Sequence, residues 1–239
     1  MTLKNILIDR ETDAACIYLK NRWVICLIYF QSHCMIDRYG CYSIFHYRIR
    51  TGKIFIYGGY HMKLINCSTA AQFSNLEHLY IESFPKAERK PFSLMVQKSR
   101  EGVMELLAIE EESGTFLGLA ITILYKDLVL LDYFAISPTM RGQNIGTHAL
   151  RLLQERYVGK RFVLEIEDTE EEAPNREERI RRKAFYLRNN MTVMPYYVKL
   201  FGVKMQVLTN GPELSFEEYH AIYQKSFSEK ISSDITLFG

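Results

Sequence analysis

One stretch constrains this chain more than any other. Residues Leu128–Ile136 (LVLLDYFAI) are apolar at all but one position. The run passes through Ser137-Pro138-Thr139-Met140-Arg141-Gly142-Gln143-Asn144 into Ile145-Gly146-Thr147. A strand apolar on both sides of its pleat belongs inside a sheet with both faces covered. Downstream, Ile145, Ala149, Leu152 and Leu153 recur at i, i+4, i+7 and i+8, the period of a helix packed on such a sheet. A helix start presents unpaired backbone N–H groups and the positive end of the dipole. Two glycines let an oxyanion approach the backbone closely, and Arg141 adds a fixed positive charge. The expected ligand group is a phosphate or pyrophosphate. No Gly-Lys-Ser/Thr follows the loop and no G-x-G-x-x-G occurs, so neither common nucleotide fingerprint is present. An ordinary strand-to-helix turn with its usual glycines is the plainer reading of this stretch taken alone.

The neighbouring sequence supplies the rest of an α/β domain. Met62–Cys67 reads as a short strand, and Thr69-x-x-Gln72 is a capping-box pattern opening a helix with Phe73, Leu76 and Tyr80 on one face and Pro85 just past its end. Met104–Ile109 and Thr115–Leu124 read as strands joined by the polar turn Glu110–Gly114, and Arg161–Ile166 as another strand. A helix is expected over about Glu177–Asn189, then a closing strand pair, Val193–Phe201 and Val203–Thr209. Ser215-x-x-Glu218 caps a last helix, to about residue 227, with Tyr219, Ile222, Tyr223 and Phe227 as its apolar side. Strands and helices thus alternate around one sheet whose early strands are antiparallel.

Composition excludes several classes. The chain has 239 residues, 48% hydrophobic and 24% charged, values of an ordinary globular protein. Its net charge of +2 gives no global field for nucleic acid or an anionic membrane, so neither partner is expected. The longest apolar run, Trp23–Phe30, is far shorter than the roughly 20 residues needed to span a bilayer. No signal-peptide pattern opens the chain, so a cytoplasmic location is expected. Five cysteines without a C-x-x-C, and no paired histidines, give no reason to expect a metal site.

Composition also changes near residue 61. Residues 1–61 hold four of the five Cys, the one Trp and none of the six Pro. This segment reads as a small appendage, with Ala15–Phe30 and Cys41–Tyr57 suited to strands. It also reads as translated leader. Gly58-Gly59-Tyr60-His61-Met62 can be encoded by a bacterial ribosome-binding sequence spaced before a start codon at Met62. A partner-docking arm is the third reading. The expected division is 1–61 for this extension and 62–239 for the main domain, with a core over about 62–209.

Ala135-Ile136-Ser137-Pro138-x-x-Arg141-Gly142-Gln143-Asn144-Ile145-Gly146 resembles the acetyl-CoA signature of the GNAT superfamily of N-acetyltransferases, Arg/Gln-x-x-Gly-x-Gly/Ala after an apolar strand. Ala184-Phe185-Tyr186-Leu187-Arg188-Asn189-Asn190-Met191 is similar to the family's later Phe-Tyr-x-x-x-Gly-Phe. The resemblance covers about residues 62–209. It implies a GNAT fold: a central mixed, largely antiparallel sheet flanked by helices, here with an N-terminal extension. The sequence departs from the pattern at Asn144 and at Asn190-Met191, where the family has glycine and Gly-Phe. Asn is the non-glycine residue most tolerant of a left-handed backbone and a favoured N-cap, and its N–H is retained.

The resemblance further implies acetyl transfer from acetyl-CoA, as co-substrate, directly to a primary amine of a small molecule or peptide in a ternary complex. The backbone of Phe134, Ala135 and Ile136 would meet the pantetheine arm. Arg141, Gly142, Gln143, Asn144, Ile145, Gly146 and Thr147 would hold the pyrophosphate. Tyr186 matches the tyrosine that protonates the leaving thiolate. The proton acceptor is left open between a carboxylate and a water chain. Asp132 lies in an otherwise apolar strand, in phase with Phe134 and Ile136, whereas Glu165 and Glu167 share one face of the next strand. The acid run Glu167–Glu172 favours a cationic amine if it lines the cleft, such as a polyamine, a sugar amine or a lysine side chain. If it is a solvated loop, Glu177–Arg181 and Glu178–Arg182 pairs on the following helix help to neutralise it. A homodimer is compatible with the closing strands and last helix. The rival reading is a non-catalytic acyl-CoA-binding or interaction module on a degenerate version of the same fold.

Overall fold

Thr69 and Gln72 exchange hydrogen bonds as a capping box, each backbone N–H donating to the other's side chain at 3.2 Å. This start fixes helix α1 (Ala70–Ser83), which buries Leu76, Leu79 and Tyr80 against the sheet. The structure, a computed structural model, describes residues 62–238 and the backbone of seven short strands in the first 61. Residues Met1–His61 and Met62–Gly239 are two separate units. In the first, β1 (Ile6–Asp9), β2 (Ala14–Leu19) and β3 (Arg22–Leu27) form an antiparallel meander. There also, β4 (Met35–Ile36) pairs with β5 (Tyr42–Ser43), and β6 (His46–Arg50) with β7 (Lys53–Tyr57). The leader and docking-arm readings rest on residues that lie largely outside the described ones.

The second unit is a three-layer domain. Its strands are β8 (Met62–Asn66), β9 (Met104–Glu111), β10 (Phe116–Tyr125), β11 (Leu128–Ile136), β12 (Arg161–Glu167), β13 (Thr192–Leu200), β14 (Val203–Thr209) and β15 (Ile235–Phe238). They form one sheet in the order β15-β13-β14-β12-β11-β10-β9-β8. Every neighbouring pair is antiparallel except β11 and β12, which helix α3 (Ile145–Arg156) connects as a crossover. The expectation of a mixed, largely antiparallel sheet flanked by helices holds.

Two buried clusters sit on the two faces. One gathers Leu76, Tyr80, Met95, Leu130, Tyr133, Val163, Tyr219 and Tyr223 under α1, α2 (Phe92–Arg100) and α5 (Phe216–Ser226). The other gathers Leu131, Leu150, Leu153, Phe162, Leu164 and Tyr186 under α3 and α4 (Arg176–Arg188). The second capping box forms as expected, Glu218 N–H donating to Ser215 Oγ at 3.2 Å. Beyond α5 the chain does not stop at the sheet's rim. A short helix α6 (Glu229–Ser233) returns it to pair as β15 with β13. Among the described residues no helix is long and apolar enough to cross a membrane.

Candidate active site

The site begins where two strands part. Parallel pairing between β11 and β12 covers only Leu128–Leu131 against Arg161–Leu164. Beyond Leu131, β11 keeps β10 as its neighbour on one side, while β12 continues through Glu165–Glu167 paired only to β14. The stretch Asp132–Ile136 therefore has one edge without a strand partner, facing a wedge between β11 and β12. Ser137 N–H donates to Leu117 O at 2.9 Å, toward β10. Alternation along a strand then turns the amide and carbonyl of Phe134 and Ile136 the other way, into the wedge. Gly118 is what lets β10 hold β11 so closely: a Cβ there would lie 2.4 Å from Ala135 O.

A β-bulge begins the wedge. The register passes from Thr122↔Leu131 to Ile121↔Tyr133, leaving Asp132 as the extra residue. The bulge overturns the period-2 expectation. Leu128 and Leu130 share a face with Tyr133 and Ala135, so the parity changes at Asp132 and its side chain is not in phase with Phe134 and Ile136. Its carboxylate turns to the α1/α2/α5 face and takes the Lys90 ammonium on both oxygens, at 2.7 and 3.0 Å. The pair is buried, with side chains 4% and 12% exposed. Lys90 Nζ also stands 5.1 Å from the centre of the Tyr133 ring, 5.8 Å from Tyr223 and 5.7 Å from Phe227.

Glu165 comes to the same place from β12. Its Oε1 accepts from Tyr219 Oη at 2.5 Å and from Tyr223 Oη at 2.8 Å. Burial pushes its carboxyl up to about 7. The two tyrosine hydrogen bonds and Lys90 pull the other way, and Asp132 adds to the rise. Glu167, on the same face by period, is instead taken by α4. Arg179 pairs with it at 2.8 Å and Arg182 at 3.1 Å. Asp168 is fully buried with Lys204 at 2.8 Å. Both expected helix pairs form as well, Glu177–Arg181 at 3.6 Å and Glu178–Arg182 at 3.4 Å. Three of the acids in the run, with Glu171 near Arg179 at 3.8 Å, are thus answered by internal cations.

Tyr186 lies on the other face of the sheet. It is 8% exposed, in the cluster that contains Leu131 and Leu164, the last residues paired before the strands part. Burial pushes its hydroxyl up to about 12, so it keeps its proton at neutral pH. Its carbonyl accepts from Asn189 N–H at 3.0 Å and from Met191 N–H at 3.2 Å. Asn190 between them has φ +64, the left-handed conformation that asparagine tolerates better than other non-glycine residues.

The loop after β11 is exposed from Arg141 to Asn144. Gly142 has φ +80 and Asn144 φ +59, so the tolerance of asparagine for a left-handed backbone is used. Asn144 is the N-cap by position, but its side chain makes no capping hydrogen bond, contrary to the favoured role of asparagine there. The first amide of α3 with a partner within the helix is His148, to Asn144 O at 3.1 Å. Those of Ile145, Gly146 and Thr147 precede it and have none in the helix. Arg141 folds back, its Nε donating to Ile136 O at 3.2 Å. Gly146 sits under the later motif: a Cβ there would meet the Phe185 ring at 3.6 Å and Ile136 Cγ1 at 3.7 Å. First-turn amides, a positive charge and an open strand edge fit a diphosphate joined to an extended amide-bearing arm. A separate cleft of about 510 Å3 lies at the opposite end of β11 and β12, lined by Asp127, Tyr157 and Arg161 among others. It shares no residue with this site.

An open parallel wedge, a bulge and a loop feeding a helix N-terminus together make a pocket suited to an anionic ligand with an extended arm. Residues 73–179 match the profile of the acetyltransferase (GNAT) family. That match places a GNAT acetyltransferase domain within residues 62–239. No curated protein matches the sequence. Among solved structures, the chain is similar to a putative GNAT-family acetyltransferase from Bacteroides thetaiotaomicron, with a TM-score of 0.59 at 22% identity over 72% of this chain and 98% of that one. At this identity the likeness speaks for the fold. Spermidine N-acetyltransferase from Vibrio cholerae, solved with CoA and spermine, gives a TM-score of 0.49 at 9% identity, covering 62% of this chain and 94% of that one. The ribosomal-protein-S18-alanine N-acetyltransferase from Escherichia coli gives 0.48 at 14%, covering 65% and 97%.

Sequence reasoning missed three residues of this site. Lys90 lies 42 positions before Asp132 with no local pattern to join them. Tyr219 and Tyr223 fall on the apolar side of a helix by their spacing, yet both hydroxyls are spent on Glu165. An i, i+4 pair of tyrosines facing the core is the one signal available, because a buried hydroxyl needs an acceptor.

Proposed function

We propose that residues 62–239 form an N-acetyltransferase that moves the acetyl group of acetyl-CoA to a primary amine within a ternary complex. The observation that carries this reading is the wedge beyond Leu131 and Leu164, with a helix N-terminus at its mouth and ionisable groups on both faces. Acetyl-CoA, when bound, supplies an acyl group activated as a thioester. The amides of Ile145, Gly146 and Thr147, with Arg141, Gly142, Gln143 and Asn144, take the diphosphate. The backbone of Phe134 and Ile136 takes the amides of the pantetheine arm as a further strand would, with Ala135 between them held toward β10. Glu165 receives the proton that the attacking amine must shed, for which a carboxyl titrating near 7 is suited at neutral pH. Tyr186, protonated on the other face, gives a proton to the departing thiolate. Asp132, held by Lys90, positions that cation rather than taking the proton. The paired state of Glu167 and Asp168 leaves the acid run little attraction for a cationic acceptor.

Calorimetry with acetyl-CoA followed by thiol release over a panel of primary amines tests the reading. Binding with turnover, reduced about 100-fold in Tyr186→Phe, is expected. Binding without turnover on any amine supports the non-catalytic module, and no binding defeats both.

A further inference from the structure

Lys90 is a primary amine already seated in the candidate site. Its chain position, in the connection between α1 and α2, owes nothing to the two motifs, and its contacts are not those of a surface lysine. Asp132 holds its ammonium from the bulge, Tyr133, Tyr223 and Phe227 surround it, and Lys90's own backbone N–H donates to Tyr133 Oη at 3.2 Å. Glu165 feels its charge from the opposite strand. Four residues of extended strand, about 13 Å, separate Ile136 from Asp132. An arm entering at α3 and running along the open edge of Ile136 and Phe134 ends at the bulge, and the amine beside the bulge is Lys90 Nζ.

We propose that Lys90 is an internal acceptor, acetylated on Nζ by its own active site from a short-chain acyl-CoA thioester. This rests on the transfer reading above. In the step, Nζ sheds a proton to Glu165 and its lone pair attacks the thioester carbonyl carbon. The N–C bond forms and the C–S bond breaks. The sulfur leaves with the bonding electrons and takes a proton from Tyr186, so the products are an acetamide on Lys90 and free thiol. The product carries no charge. Asp132 then loses its internal cation, and its uncompensated carboxylate attracts the ammonium of an external amine. Acetylation of Lys90 thereby primes the site for its acceptor.

Full-length protein is incubated with acetyl-CoA at several protein concentrations, and the modified peptides are mapped by mass spectrometry. The expected result is one acetyl group per chain, on Lys90, at a rate unchanged by protein dilution and abolished in Lys90→Arg. Acetylation spread over exposed lysines such as Lys63, or a rate falling in proportion to dilution, overturns the proposal. Calorimetry with acetyl-CoA and the amine panel are run on the same preparation. Turnover of an external amine with Lys90 unmodified overturns the internal-acceptor proposal while leaving the transferase reading intact. No binding of acetyl-CoA removes both.

Discussion

Tyr219 Oη donates to Glu165 Oε1 at 2.5 Å, and the same oxygen accepts from Tyr223 at 2.8 Å, so one buried carboxylate is held by two phenols from a single turn of α5. Burial raises this carboxyl to about 7 against those bonds. A base must be ionised to act, so kcat/KM should rise with pH through about 7. Glu165→Gln should lower kcat by about 100-fold and remove that limb. Tyr219→Phe removes a bond that favours the charged form. At about 1.5 kcal/mol per such bond, the limb should move up by about one pH unit. A pH–rate profile of the three proteins checks this.

The same shift has a consequence for stability. The folded state holds a proton on Glu165 that the unfolded state releases near the ordinary carboxyl range, about 4.3. Between there and about 7 the folded state therefore binds more protons, and this group's contribution to stability falls as pH rises. Urea unfolding of the wild type and Glu165→Gln across this window should show the slope in the former and its loss in the latter.

Asn144 stands at φ +59 with no capping bond from its side chain, so what the position needs is the left-handed backbone. Alanine pays about 1 kcal/mol for that conformation and glycine does not. Asn144→Ala should lose that much stability and bind acetyl-CoA about fivefold more weakly, whereas Asn144→Gly should match or exceed the wild type. Denaturant unfolding and calorimetry on both variants separate a backbone requirement from a side-chain one.

Gly118 is the glycine that holds the open edge in place. A methyl at its Cβ would lie 2.4 Å from Ala135 O, a backbone atom that cannot swing aside. Gly118→Ala should cost about 1–3 kcal/mol and spread β10 from β11 where Phe134 and Ile136 lie. Gly146→Ala meets only Phe185 and Ile136 side chains at 3.6 Å or more and should fold normally. Comparing the two by thermal unfolding tests whether backbone contact, rather than glycine as such, is the requirement.

The parts of this domain legible in the sequence were those encoded within a few residues. Both capping boxes, the strand-loop-helix order and the left-handed asparagines follow from short patterns whose physics is local. The bulge was not legible, because an extra residue in β11 exists only relative to the register of β10. Missing it placed Asp132 with Phe134 and left its partner Lys90 unsuspected. Helix α2 escaped for another reason: it has nine residues and buries only Met95 fully, too short a stripe to show a period. Strand β15 is four residues long and takes its conformation from β13 rather than from its own composition.

The division at residue 61 makes a last prediction. The eight-stranded sheet starts at Met62 on β8 and ends at β15, so both of its edges lie within one contiguous piece of chain. Both capping boxes, the wedge and the Glu165 cage are built from the same piece. We therefore propose that 62–239 folds without the preceding segment, with an unfolding midpoint within a degree or two of the full chain and the same affinity for acetyl-CoA. Loss of solubility in the truncated protein, with its spectrum of secondary structure intact, would instead support the docking-arm reading of residues 1–61. Mass spectrometry of the protein from its native source adds the second half of the test. Peptides from that segment at full stoichiometry exclude a translated leader, and their absence beside abundant peptides from Met62 onward supports one.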